Sequence, residues 1–101
     1  MDVRAVINAT NVNICQTKGV YDAAKRNVKF RFEVASSIDK FMCGDWGDVC
    51  IEDSAANDEA LINFERVIGS YQTSEGELWV IAESEDCVKY TNITVLFPNE
   101  Y

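Results

Sequence analysis

Three runs in the last third of the chain set the strongest limit on its fold. RVIGSYQT (66–73), ELWVIAES (77–84) and YTNITVLF (90–97) alternate with a period of two and are rich in β-branched and aromatic residues. That is the pattern of strands holding one face against a core. SEG (74–76) supplies a tight turn between the first two runs, and EDC (85–87) lies in the second connection. Links this short join antiparallel neighbours, because parallel ones need a long crossover. The reading is a three-stranded antiparallel meander, with Ile93, Val95 and Phe97 toward the core and Asn92 and Thr94 outward.

Upstream the period is helical. Phe30, Val34, Ile38, Phe41 and Met42 make one apolar stripe, with Lys29, Arg31, Glu33, Asp39 and Lys40 between them. The spacing predicts a helix from Asn27 that Gly44 ends with a left-handed cap. A second helix fits Ser54–Phe64, SAANDEALINF, capped by Asp53 or Ser54 and burying Leu61, Ile62 and small alanines. Its early acids, Asp58 and Glu59, suit the positive end of the helix dipole. KGVYDAAKRN is a shorter helix candidate with Thr17 as its cap, Val3–Ile7 can form a strand, and Val12–Cys15 a short second piece. The fold class is therefore α+β: one domain over residues 1–101, with an N-terminal strand and two to three helices packed on a C-terminal three-stranded antiparallel meander. At this length the radius of gyration is about 13 Å, which leaves little room for a deep substrate cleft.

Charge divides the chain. Residues 1–40 carry seven Lys/Arg and four Asp/Glu, whereas residues 41–101 carry thirteen acids against only Arg66 and Lys89. The larger, acidic part repels nucleic acid and anionic membrane and offers carboxylates to a basic partner, or simply keeps the surface solvated. No run approaches the length of a membrane span, and MDVRAVINAT lacks the features of a secretory signal, so a cytoplasmic location is expected. In that setting Cys15, Cys43, Cys50 and Cys87 are expected as reduced, small buried residues.

The segment FMCGDWGDVCIED (41–53) is where chemistry would concentrate, and it is short of the means. There is no histidine and no CxxC pair, so zinc-ligand spacing and Ser-His or Cys-His catalysis are absent. The acids do not follow the calcium-loop pattern. A phosphate cradle needs glycines backed by cations, and here aspartates flank them. Neither a catalytic group, a metal nor a cofactor is expected. Gly44 and Gly47 allow a turn through positive φ, Asp45 and Asp48 can bond free N–H groups, and Trp46 can pin the loop to the core or serve as a partner's anchor. The candidate partner-binding residues are Asp45, Trp46, Asp48, Glu52, Asp53, Asp58 and Glu59. Displayed on a rigid corner and helix, such carboxylates can stand in for a row of phosphates before a basic groove.

GDWGD (44–48), ED (52–53), NDEAL (57–61), RVIGSY (66–71), ELWVIAE (77–83) and TVLFPNEY (94–101) occur in this order. Over roughly residues 44–101 the chain resembles a family of small, largely uncharacterised bacterial proteins found on plasmids, integrative elements and phages. The resemblance implies a mobile-element setting in a bacterial host, where small acidic proteins counter host defence, including as anti-CRISPR proteins that bind effector nucleases. It brings no reaction and no active-site residues. Where that family often continues TEADRS, this chain has AESEDCVKYTN (82–92). The function expected is a non-enzymatic acidic inhibitor or modulator that binds a basic host protein, with no direct nucleic-acid or membrane contact. The alternatives are an assembly module that forms a homodimer through sheet edges, or a small hydrolase using paired carboxylates such as Asp45 and Asp48.

Overall fold

The alternating runs do form adjacent antiparallel strands. A computed structural model describes residues 6–8 and 12–101. Its elements in chain order are β1 (Asn13–Gln16), α1 (Lys18–Arg26), α2 (Val28–Met42), α3 (Ile51–Ala60), β2 (Val67–Thr73), β3 (Gly76–Glu83) and β4 (Asn92–Leu96). Single 3₁₀ turns follow α3 at Leu61–Asn63 and β4 at Pro98–Glu100. Ser70 lies opposite Trp79 across β2 and β3, and Ala82 lies opposite Ile93 across β3 and β4. Ser74 and Glu75 form the first turn, closed by Gly76 at φ +102°. The molecule is α+β, with a radius of gyration of 13.2 Å.

Among the described residues the sheet has four strands, not three. Its order is β1-β4-β3-β2, and β1 runs parallel to β4 with Ile14 opposite Ile93. The crossover that a parallel pair demands is the entire helical segment plus the β2–β3 hairpin. One sheet face carries Val67, Tyr71, Leu78, Val80, Ala82, Ile93 and Val95, all buried beneath Val20 and Ala23 of α1 and the α2 stripe. Phe30 of that stripe stacks on Phe97 at 5.7 Å between ring centres.

Several local expectations are corrected. Val3–Ala5 lie outside the described residues, and Val6 and Ile7 form a bend whose N–H groups both donate to the Met42 carbonyl. Thr17 does occupy the N-cap of α1, but its hydroxyl donates to Glu100 Oε1 (2.6 Å) and makes no bond to its own helix. The second predicted helix begins at Ile51 and not Ser54, with Cys50 as N-cap, and gives way to a 3₁₀ turn after Ala60. Ile62 is exposed, and the one buried residue of α3 is Asn57. The four cysteines, expected inside, are free and exposed, because each falls at an element end, in a loop or on the solvated edge strand. Among the described residues no helix is long and apolar enough to cross a membrane.

Candidate functional site

The corner between α2 and α3 is built by closure on β2. Gly44 leaves α2 at φ +83°, and the Asp45 N–H donates back to the Lys40 carbonyl. Asp45 Oδ1 then accepts from the Gly47 N–H at 3.0 Å, folding the loop over its own side chain. On either side of Gly47 the backbone docks on the sheet: Ser70 N donates to the Trp46 carbonyl (2.9 Å), and Asp48 N donates to the Ser70 carbonyl (2.7 Å). These two bonds make a parallel bridge, Gly47 to Ser70, beside the β2 edge.

Trp46 points inward. It is 3% exposed, meets Phe41 edge-on at 5.2 Å, and its Nε1–H donates to Asp58 Oδ1 at 2.9 Å. Burial of an indole of this size contributes about 4 kcal/mol as an upper estimate. Trp46 is therefore the pin of the corner, and the alternative of a surface anchor is overturned: a partner cannot reach the ring without unfolding the loop. Tyr71 fixes the corner from below, its hydroxyl donating to the Asp45 carbonyl at 2.7 Å. Burial, with the Asp45 charge second, raises that phenol well above its ordinary pKa.

α3 lies along the same edge. The Cys50 thiol accepts from the Asp53 N–H at 3.4 Å, and Glu52 and Asp53 occupy the first turn, where backbone N–H groups favour negative charge. One turn on, the Asn57 amide clasps Ile68: Nδ2 donates to its carbonyl (2.8 Å), and Oδ1 accepts from its N–H (3.3 Å). Asn57 thus does for Ile68 what the Gly47 bridge does for Ser70. The outer backbone groups of β2 are satisfied at both positions.

The predicted site residues separate into two groups. Asp45, Asp48, Glu52, Asp53, Asp58 and Glu59 are exposed on the corner and α3, and Trp46 lies beneath them. Asp58 does double duty, facing water while holding the indole. The ion pairs among the described residues are Lys18–Asp22 (3.7 Å) and Arg26–Glu75 (3.4 Å), so none of these six carboxylates has an ion-pair partner among the described residues. Nor do acids and thiols gather in threes as metal ligands among the described residues.

Two shallow grooves flank the corner. One, of about 650 Å³, runs between α2 and the corner, mixing Lys29 and Lys40 with Glu33, Asp45 and Asp48. The other, of about 480 Å³, crosses the sheet face opposite the main core, from Trp79 and Glu77 over Ile68 to Asp48 and Asp53. Glu77 accepts from Ser70 Oγ (2.7 Å) and Trp79 Nε1 (2.8 Å), and these bonds, Ser70's first, lower its pKa. Among the described residues every buried side-chain nitrogen or oxygen has a partner, so the core withholds no polar group for chemistry.

Comparison of the chain with protein-family models, curated proteins and solved structures finds no match. The second groove was missing from the sequence reading, although a signal for it was present. Strict alternation in ELWVIAES sets Glu77, Trp79 and Ile81 on the face opposite Leu78, Val80 and Ala82, which places a tryptophan beside an acid on the side away from the main core.

Proposed function

We propose that this chain is a non-enzymatic binding protein of a bacterial mobile element. It acts in the cytoplasm by covering a basic nucleic-acid-binding surface on a host defence protein such as a CRISPR effector nuclease. The observation that carries the reading is the set of six exposed carboxylates on the corner and α3 with no ion-pair partner among the described residues. The Trp46 pin, the Gly47 bridge and the Asn57 clasp fix the backbone that bears them, so a partner loses little free energy in ordering the face. Fixed charges of one sign speed encounter with an opposite surface and compete with phosphates for it.

Homodimerisation through the β2 edge would first have to displace the Asn57 amide and the Gly47 bridge, and this disfavours it. The hydrolase reading has less support, because Asp45 already accepts a bond from the Gly47 N–H.

The test is binding to basic effector nucleases, read by displacement of labelled guide or target nucleic acid. Raising salt from about 50 mM to about 300 mM weakens binding by about tenfold or more. A Glu52→Lys/Glu59→Lys variant, which spares Asp58 and the Trp46 pin, loses a similar factor. Undiminished binding by that variant would remove the face from the proposal, and failure of the unaltered protein to bind such nucleases would end it.

A further inference from the structure

The groove on the sheet face opposite the main core has what the corner lacks, an aromatic side chain beside carboxylates. Trp79 and Ile68 are half-buried there, with Asp48 and Asp53 on one side and Glu77 on the other. No hydrogen bond or ion pair among the described residues engages the Asp48 or Asp53 carboxylate, and Glu77 uses only Oε2. Arg66, the one cation lining this groove among the described residues, is already engaged. Its guanidinium lies over the Tyr101 ring, 4.9 Å from the centroid, and its Nη2 donates to the Tyr101 hydroxyl. Tyr101 in turn meets Trp79 edge-on at 5.5 Å.

Three carboxylates beside an indole make a place for a cation with a flat face. An ammonium satisfies the charge alone. A guanidinium also stacks on the indole and donates in parallel to carboxylates; Arg66 already lies over an aromatic ring, that of Tyr101, within the chain. The volume of about 480 Å³ is within the usual size of a ligand pocket, roughly 300–1,000 Å³, and ample for one side chain.

We propose that this groove receives a single arginine side chain of the basic partner, stacked on Trp79 and held between Glu77 and the Asp48–Asp53 wall. The assignment rests on the reading of the acidic face as a partner surface, and it makes that surface selective for arginine over lysine.

The two tryptophans provide the test, since Trp46 is buried and Trp79 is not. ¹⁵N-labelled protein is titrated at low salt with a short oligo-arginine peptide and, separately, with oligo-lysine of equal length. Oligo-arginine should move the Trp79 indole N–H resonance, leave that of Trp46 in place, and bind more tightly than oligo-lysine. Asp53→Asn and Glu77→Gln should each weaken oligo-arginine by about tenfold and narrow the difference between the peptides. Asp53→Asn serves alone if thermal melts show that Glu77→Gln disturbs the sheet. Binding with shifts confined to α3 and a still Trp79, or equal affinity for the two peptides, overturns the arginine site and leaves the broader reading standing. Absence of binding by either peptide overturns both.

Discussion

A methyl group added at Gly47 would overlap the Ser70 carbonyl oxygen and press on the Tyr71 ring, at a φ of +77° that other residues resist. At Gly76, by contrast, φ is +102° and a methyl group would meet nothing. Gly47→Ala should therefore destabilise by about 3 kcal/mol or more and Gly76→Ala by about 1–2 kcal/mol, a difference that urea unfolding resolves. Trp46→Phe keeps an aromatic body against Phe41 but surrenders the bond to Asp58, and should cost about 1–2 kcal/mol in the same assay. The glycines and the pinning role of Trp46 were legible in GDWGD, because only a turn uses that composition. The exposure of the cysteines was not, since a thiol reads alike at a buried position and at a helix cap such as Cys50.

Between elements, polar side chains act as substitutes for backbone. Asn57→Ala would leave the Ile68 N–H and C=O without partners and open the β2 edge. It should cost about 1–3 kcal/mol and raise self-association, both visible in urea unfolding and sedimentation. Two glutamates tie distant elements together: Glu33 of α2 accepts from the N–H and hydroxyl of Ser74, and Glu100 accepts from Thr17, Gly19 and Phe97. The Ser74 side-chain and backbone bonds lower the Glu33 pKa. For Glu100 burial pushes upward, but the three hydrogen bonds together outweigh it and the net shift is downward. Both folded values lie below the unfolded ones, so the stability they contribute is complete above the ordinary glutamate value of about 4.3 and is lost as pH falls through the lower folded values. Glu33→Gln and Glu100→Gln should flatten that acid limb in pH-dependent melts. The α2 stripe and the meander could be read from the sequence because each is a local periodicity. The β1–β4 pairing and the Glu100 bonds to Thr17 and Gly19 join residues far apart in the chain, and the Asn57 clasp joins a helix to a strand eleven residues on, so no local periodicity announces them.

For the molecule as a whole, uncompensated charge gives stability and binding opposite responses to salt. The acids of the corner and α3 repel one another, and added electrolyte screens that repulsion. Moderate sodium chloride should raise the melting temperature by a few degrees, about 2–5 °C, while it weakens the complex with a basic partner. Thermal melts and binding curves over one salt series check both signs. A parallel rise or fall would contradict the account of the acidic face.

The pairing of β1 with β4 also bears on how the chain reaches this state. The hairpin of β2 and β3 forms from near neighbours in sequence, whereas β1 must wait for a partner 79 residues downstream. Until β4 is made, the backbone groups with which β1 will pair stay bare, a hydrogen-bonding template for any other extended chain nearby. On a ribosome that interval lasts several seconds at the usual pace of about 5–20 residues per second. Nascent chains in this interval, more than the finished protein, are where misassembly should begin.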